Sequence, residues 1–353
     1  MRGFTLTILG FDFMNKKMTS TEFAQVLKTL SLDYRLCGPK LYPGQGAFSD
    51  TDLAGYGEIT ALDQLYLDGK TYFSPKECIF PIRETLFYFR GDEPVPPAVD
   101  LRPMIIFLRP CDINGIKRLD TIFLKNGDEQ DYYYARRRNA VKFFLLECRE
   151  GFDSCFCVSM KANKTDDYAC ALRFEPDSVS INIKDPEFNA AFDEGKDIHP
   201  FLEFVKENRT KVTVPDLAAT ATEEVFQHEL WQEYTSRCIA CGRCNTSCIT
   251  CSCFTMQDVK YDRNGELSER RRVWAGCHVD GFTDMAGGHS FRKKNGDRMR
   301  FKTMHKINDF YRRFGKHMCV GCGRCDDVCP EYISFSACIN KLERIVKELP
   351  HEN

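Results

Sequence analysis

Two runs of cysteine residues have the spacing of iron–sulfur ligands. The first run, residues 238–248, reads Cys-Ile-Ala-Cys-Gly-Arg-Cys-Asn-Thr-Ser-Cys. The second run, residues 319–329, reads Cys-Val-Gly-Cys-Gly-Arg-Cys-Asp-Asp-Val-Cys and is followed by Pro330. Both runs follow the pattern C-x2-C-x2-C-x3-C, which is typical of bacterial proteins that bind 4Fe-4S clusters. The sequence therefore predicts two 4Fe-4S clusters.

The fourth cysteine of each run is predicted to bind the cluster of the other run. In proteins with two such clusters, three closely spaced thiolates hold one cluster and the fourth ligates its neighbour. The ligands expected for the first cluster are Cys238, Cys241, Cys244 and Cys329. Those expected for the second cluster are Cys248, Cys319, Cys322 and Cys325. The alternative is zinc, which also binds four cysteines but usually as two C-x2-C pairs. Two complete runs fit clusters better.

Glycines between the ligands are expected to adopt backbone conformations that other residues avoid. Gly242 and Gly323 occupy the same place in their runs, where the chain must pass close to a cluster. Because glycine lacks a Cβ atom, it takes positive φ angles at little steric cost. We therefore expect positive φ at both positions.

Four cysteines in the N-terminal part form a second candidate site. Two of them, Cys111 and Cys148, follow or end predicted strands, and the other two, Cys155 and Cys157, form a C-x-C pair shortly afterwards. Sites in α/β sheets are commonly built at the carboxyl edge of the strands. These thiols are therefore candidate ligands of a third cluster. The alternative is that they are buried cysteines that pack as small hydrophobic residues, and the spacing does not decide between the two.

Three more cysteines lie between the two runs: Cys251, Cys253 and Cys277. The first two follow Cys248 so closely that either competes with it as the fourth ligand, but only Cys248 matches the spacing of Cys329. We expect the three to pack against the clusters or to donate S–H hydrogen bonds. A separate metal site would need one more ligand, such as His278.

The remaining cysteines are isolated in the sequence and are expected to be buried free thiols: Cys37, Cys78, Cys170 and Cys338. Nineteen cysteines in 353 residues is a high number. The N-terminus has no clear signal-peptide cleavage site, so metal ligands and thiols are expected rather than disulfides.

Composition and missing motifs narrow the function. The formal net charge of -2 argues against a general nucleic-acid-binding protein, and no apolar run approaches the roughly 18 residues of a membrane span. The sequence has no P-loop and no G-x-G-x-x-G after a predicted strand, so it carries no fingerprint for nucleotide binding. It also lacks a recognisable set of nucleophile and base. We therefore expect no catalytic residues.

Basic residues are concentrated just before the second run: Arg298, Arg300, Lys302, His305, Lys306, Arg312, Arg313 and Lys316. Positive charge near a cluster favours its reduced form and raises its potential, and it can also steer an acidic partner. A solvated helix face explains the pattern at least as well.

The predicted elements divide the chain into two parts. Strands and helices alternate over residues 1–220, which indicates an α/β domain. Residues 221–353 are predicted to form a mainly helical, ferredoxin-like dicluster domain, with an insert of about 70 residues between the runs. The fold class is therefore α+β. More locally, the sequence predicts strands at 101–109, 142–148 and 156–160, helices at 201–208, 223–236, 303–314 and 334–349, and an irregular loop at 38–57.

The chain resembles the iron–sulfur electron-transfer subunit of the anaerobic, NADH-linked sulfite reductases over nearly its whole length. The resemblance is carried by ETLFYF at 84–89, CDIN at 111–114, CFCVSM at 155–160, CIACGRC at 238–244, DMAGGH at 284–289 and CVGCGRCDD at 319–327. More distantly, the chain is similar to the β subunits of soluble sulfhydrogenases. In the sulfite reductase family the first run usually has proline after its fourth cysteine, whereas Ile249 stands here.

The resemblance implies a cytoplasmic enzyme of three subunits. A flavoprotein subunit takes electrons from NADH, this subunit relays them through iron–sulfur clusters, and a sirohaem subunit reduces sulfite to sulfide. The chain itself would perform no bond chemistry and would contact neither nucleic acid nor a membrane. One alternative is the relay subunit of a sulfhydrogenase or of another anaerobic reductase. An alternative of another class is a zinc-stabilised scaffold.

Overall fold

The protein has an α+β fold, as the sequence predicts. The computed structural model describes residues 14–46, 50–100, 102–217, 222–264 and 266–349. Its strands are β1 Met14–Thr19, β2 Arg35–Tyr42, β3 Leu53–Glu58, β4 Arg83–Arg90, β5 Glu93–Val95, β6 Met104–Leu108, β7 Val141–Leu146, β8 Cys170–Glu175, β9 Ser178–Ile183, β10 Lys196–Asp197, β11 Phe254–Lys260 and β12 Leu267–Trp274. Its α-helices are α1 Ser20–Asp33, α2 Pro110–Leu124, α3 Tyr132–Arg138, α4 Thr222–Gln227, α5 Leu230–Arg237, α6 Arg243–Thr246, α7 Asn295–Met304, α8 Phe310–Phe314, α9 Arg324–Asp327 and α10 Phe335–Glu348.

The larger sheet positions the cysteines of the N-terminal part. Its strand order is β10-β1-β9-β8-β7-β6-β2-β3, and the central strands β8, β7, β6 and β2 are parallel. Strand β6 is an apolar run that is almost wholly buried, as predicted for residues 101–109. Because β6 and β7 are parallel neighbours, Cys111 and Cys148 emerge at the same edge of the sheet.

The smaller sheet joins the insert to the N-terminal part. Its order is β11-β12-β4-β5, so the hairpin β11–β12 of the insert pairs with β4. The buried carboxylate of Glu84 on β4 accepts hydrogen bonds from Arg272 on β12 at 2.9 Å and from Arg136 and Arg137 of α3 at 3.0 and 3.1 Å. The sequence predicts no strand in the insert, and the hairpin is missed because it pairs with a strand that is remote in sequence.

Of residues 38–57, predicted as an irregular loop, 38–42 belong to β2 and 53–57 to β3, while 47–49 lie outside the described residues. The glycines there make room for a neighbouring side chain instead of breaking the strands. A Cβ atom on Gly57 would lie 1.9 Å from the hydroxyl oxygen of Tyr42, and one on Gly55 would lie 3.2 Å from its ring. The two glycines are thus the surface on which the Tyr42 side chain packs.

Residues 201–208 are not helical, and residues 156–160 are not a strand. The backbone N–H of Val205 donates to Cys148 O at 2.7 Å, and that of Glu203 donates to the Glu147 carboxylate at 2.8 Å. The first segment therefore pairs with a neighbouring chain segment and not with itself. In the second segment, the Phe156 N–H donates to Gly321 O at 2.8 Å, so this loop docks on the second cysteine run.

The C-terminal part is mainly helical around the cysteine runs. Helix α10 follows the prediction for residues 334–349, since Ser334 caps it and the spacing of Cys338, Leu342 and Val346 buries one face. The helix predicted at 223–236 is interrupted between α4 and α5. The one predicted at 303–314 contains a π-helical turn, His305–Asp309, between α7 and α8.

None of the helices in the described ranges is long and apolar enough to cross a membrane. The predicted boundary between residues 220 and 221 lies outside those ranges, and the division into two domains stays a prediction.

Candidate iron–sulfur sites

One cavity is lined by three thiols of the first cysteine run and by the last thiol of the second, with Cys325 of the second run also at its wall. The four thiols of the set predicted for the first cluster all line this cavity. They are Cys238, Cys241, Cys244 and Cys329. Apolar side chains such as Met299, Ile333 and Phe335 complete much of the wall. Thiolates in a largely apolar pocket are the donor set that an iron–sulfur cluster needs.

A second cavity is lined by the complementary set. The thiols are Cys248, Cys319, Cys322 and Cys325. The Cys325 side chain also reaches the first cavity. The last cysteine of each run therefore lines the cavity built by the other run, which is the arrangement that crossed ligation requires. These residues fit two 4Fe-4S clusters, and the assignment of each ligand stays a prediction.

The two runs have nearly the same backbone conformation. Gly242 and Gly323 have φ of 74° and 73°, so positive φ occurs at both positions, as expected. The preceding pair, Ala240 and Gly321, also has positive φ, 56° and 66°. The N–H of Ala240 donates to Cys238 Sγ at 3.5 Å, and that of Gly321 donates to Cys319 Sγ at 3.4 Å. Hydrogen bonds to ligand sulfur tune the potential of a cluster.

The surroundings of the two runs differ. The second run is covered by the loop at residues 151–160: a Cβ atom on Gly321 would lie 2.5 Å from the backbone of Phe156, and one on Gly323 would lie 2.3 Å from Ser154 O. In the first run, Cys241 is exposed, and Ile239 is 58% exposed. The first cavity is thus close to the surface, and the second is internal.

A buried ion pair holds the second run against the N-terminal part. Arg324 donates to both carboxylate oxygens of Asp112, at 2.5 and 3.0 Å, and its Nε donates to Thr71 O at 3.1 Å. Helix α2 begins at Pro110, with Arg109 at the capping position. Asp112 faces Arg324 because it lies in the first turn of α2, on the side where the second run docks.

Ile249 also makes contact between the two parts of the chain. It is wholly buried, and a Cβ atom on Gly115 of α2 would lie 2.5 Å from its side chain. The residue that replaces the proline of the sulfite reductase family therefore packs tightly against α2.

The four N-terminal cysteines lie in one neighbourhood beside the second cavity. Cys155 Sγ is 3.7 Å from the carbonyl oxygen of Cys322. Burial, followed by the nearby Cys155 and Cys148 thiols, raises the pKa of Cys157 to about 12. Burial, Asp112 and Cys157 raise the pKa of Cys111 well above its usual value. The fold thus brings these thiols near one another, and their role as ligands of a third cluster stays a prediction.

Asn208 contributes to this neighbourhood without any signal in the sequence. Its Oδ1 accepts hydrogen bonds from the Val158 N–H at 2.8 Å and from Cys157 Sγ at 3.6 Å. Its Nδ2 is buried and has no hydrogen-bond acceptor among the residues that the structure describes. The amide therefore offers an unused donor beside the candidate ligands.

Two cysteines of the insert, Cys251 and Cys277, accept hydrogen bonds from Asn245 of the first run, and the packing of the insert cysteines against the clusters stays a prediction. Asn245 Nδ2 is 3.5 Å from Cys251 Sγ and 3.4 Å from Cys277 Sγ. His278 Nδ1 is 3.7 Å from Cys277 Sγ. Across the described ranges, no three His, Cys, Asp or Glu side chains are grouped so that they could hold a single metal ion.

Two cysteines that are isolated in the sequence meet in the fold. Cys37 of β2 and Cys78 have their sulfur atoms 2.9 Å apart. Both are free thiols packed in the core between the larger sheet and α2.

The basic residues before the second run do not form a single solvated face. Arg298, Lys302 and Lys306, spaced four residues apart, are 3–4% exposed, whereas Arg312 and Arg313 are exposed. The interpretation as a solvated helix face therefore holds for only some of these basic residues.

Comparison with known proteins agrees with this geometry. Residues 237–333 match the family described as a 4Fe-4S dicluster domain. Together with the two thiol-lined cavities, this match defines the chain as an iron–sulfur electron-transfer protein.

A curated relative extends the likeness to most of the chain. The chain is 30% identical over 332 residues to sulfhydrogenase 2 subunit beta of Pyrococcus furiosus, which covers 90% of this chain and 95% of that protein. The chain belongs to the family of sulfhydrogenase beta subunits. No solved structure matches it.

Proposed function

We propose that this chain relays single electrons between a flavoprotein subunit that oxidises NADH and a sirohaem subunit that reduces sulfite to sulfide. The supporting observation is the pair of thiol-lined cavities, each of which contains three cysteines of one run and the last cysteine of the other, with Cys325 lining both. When bound, 4Fe-4S clusters supply one-electron transfer at a potential set by their surroundings. The identity of both partners rests on the family resemblance carried by the sequence motifs.

The residues of the chain hold, shield and tune the two sites. The cysteine thiolates are the ligands, and the N–H groups of Ala240 and Gly321 donate to ligand sulfur. Phe335 is buried and lines both cavities. Because Cys155 touches the second run, a cluster at the N-terminal cysteines would extend the path into the larger sheet.

The second candidate is a relay in a sulfhydrogenase. It is favoured by the relative in Pyrococcus furiosus, which aligns along almost its entire length with this chain. In both candidates the chain works in a complex of different subunits in the cytoplasm and performs no bond chemistry itself. The candidates differ in the partner that receives the electrons.

Purification of the native complex under anaerobic conditions tests the proposal. We expect visible absorption and EPR signals of 4Fe-4S clusters, together with NADH-driven reduction of sulfite. Substitution of Cys241 by alanine should abolish NADH-driven turnover, while the sirohaem subunit still reduces sulfite with an artificial donor. Cys338→Ala, which removes a buried thiol outside both cavities, is the matched control.

Two results would decide against the proposal. Hydrogen-dependent activity without sulfite reduction would favour the sulfhydrogenase candidate. Zinc without iron in the pure chain would mean that it is a scaffold and not a relay.

A further inference from the structure

We propose that Lys302 is a positioning residue for electron transfer, whose buried ammonium group is shared by both cluster sites and raises both of their reduction potentials. This inference rests on the proposed function, because it concerns the clusters that carry the electrons. It adds a residue that sets how readily each site accepts an electron.

The position of Lys302 is the first observation. It lies on α7 and lines both cavities. Its side chain is among the most buried of the charged side chains, with 3% exposure, and its Nζ lies 5.0 Å from the centroid of the Phe335 ring. The ammonium group is therefore part of the wall between the two sites.

The buried ammonium groups of Lys302 and Lys306 have no carboxylate partner within ion-pair distance among the described residues. A buried charge is stable only when an opposite charge compensates it. The groups near Lys302 that can become anionic are cysteines of both sets, among them Cys244 and Cys325, which would be thiolates when they bind a cluster. The bound clusters, with their thiolate ligands, would therefore be the counter-ions that compensate the buried charge of Lys302.

Lys306 provides an internal comparison. It lies four residues after Lys302, and both side chains line the second cavity. However, Lys306 lines only the second cavity, where its Nζ donates to Thr250 Oγ1 at 2.9 Å. The π-helical turn His305–Asp309 places the Lys306 carbonyl oxygen 2.8 Å from Met318 N, next to the second run. Lys306 is therefore expected to influence one site and Lys302 both.

The physical effect follows from the charge. Reduction adds one negative charge to a cluster, and a fixed positive charge nearby stabilises that reduced form. The effect is strong in a buried site because water screens it weakly. Removal of the Lys302 charge should therefore disfavour reduction at both sites by about tenfold or more, which corresponds to about 59 mV for one electron.

The experiment is an EPR-monitored redox titration of the complete, cluster-loaded chain. Lys302→Met should lower both potentials, whereas Lys306→Met should lower mainly that of the second site. Lys302→Arg keeps the charge and should restore both potentials towards those of the unmodified protein. Arg312→Met removes an exposed charge outside both cavities and is the matched control.

The outcomes separate this inference from the proposed function. A shift confined to one site after Lys302→Met would disprove the shared role, and unchanged potentials would disprove any role. If Lys302→Met fails to retain its clusters, Lys302→Gln removes the charge, keeps a hydrogen-bond donor and is subject to the same two criteria. Both criteria hold whichever partner accepts the electrons, because the titration contains no partner.

Discussion

Equivalent residues of the two cysteine runs carry different side chains because their neighbours differ. Ala240 and Gly321 both have positive φ. A Cβ atom on Gly321 would lie 2.5 Å from the backbone of Phe156, whereas Ala240 already carries one. In the left-handed region an alanine costs about 1–2 kcal/mol. The exposed run tolerates this cost, whereas the buried run has no space for the methyl group.

Gly321→Ala should therefore destabilise the protein by more than the roughly 1–2 kcal/mol of backbone strain, because the Cβ atom would also displace Phe156. The matched change, Ala240→Gly, relieves strain and should alter the free energy of unfolding by less than about 1 kcal/mol. Anaerobic denaturation of the two variants measures both values. Equal effects would mean that the contact with Phe156 does not matter.

Crossed ligation makes a prediction about single cysteines. Cys329→Ala should damage the site formed by Cys238, Cys241 and Cys244, and Cys248→Ala should damage the other site. EPR of the reduced variants separates the two signals, with Cys338→Ala as the control. Loss of the signal from a variant's own run alone would contradict the crossing.

At the residue scale, the sequence predicts what depends on local spacing. The cysteine runs are visible because most ligands of a site are three residues apart. Asn208 is not visible, since it reaches Cys157 only through folding of a segment about 50 residues away. The place of Lys302 between the sites is equally hidden, because its burial depends on helix packing.

At the scale of elements, the pair between Arg324 and Asp112 connects α9 to α2. Both side chains are almost wholly buried, and removal of one partner of a buried ion pair typically costs about 3–5 kcal/mol. Asp112→Asn should therefore lower the free energy of unfolding by about that amount. Arg243, the equivalent residue of the first run, is exposed. Arg243→Gln should therefore change the free energy of unfolding by less than about 0.5 kcal/mol.

Denaturation curves of these variants test the ion pair. The double variant Asp112→Leu, Arg324→Leu removes both charges and should be more stable than Asp112→Asn. If Asp112→Asn and Arg243→Gln had the same small effect, the ion pair would not hold these elements together.

Strands and helices whose burial can be read from their own hydrophobic pattern are predicted well. The apolar run of β6 and the amphipathic spacing of α10 are examples. The hairpin β11–β12 is missed because β12 carries charged residues such as Arg272, whose burial is explained by Glu84 and Asp131, both remote in sequence. Strands β2 and β3 are missed because their glycines resemble loop residues until Tyr42 is seen to cover them.

At the scale of the whole molecule, the number of iron atoms tests the N-terminal site. If the four N-terminal cysteines bind a third cluster, the pure chain should contain about 12 iron atoms, and about eight if they do not. The double variant Cys155→Ser, Cys157→Ser should then lose about four iron atoms, whereas Cys78→Ser should lose none. A count near eight in the unmodified chain would rule the third cluster out.

The fold class followed from the sequence, whereas the contact between the two parts of the chain did not. Alternating strands and helices before the cysteine runs suffice to predict an α+β protein. The docking of residues 151–160 on the second run depends on backbone contacts at Gly321 and Gly323. A pattern of side chains in the sequence does not predict such contacts.

Because the loop at residues 151–160 docks on the second cysteine run only, clusters at the two sites should be lost at different rates in air. Oxygen and chelators reach the first site through the exposed Cys241, while the loop at residues 151–160 shields the second. Visible absorbance should therefore decay in two phases on exposure to air, and the EPR signal of the first site should disappear in the faster phase. After exposure to air, the protein would retain mainly the buried cluster of the second site. Its iron content would then overstate its electron-transfer activity.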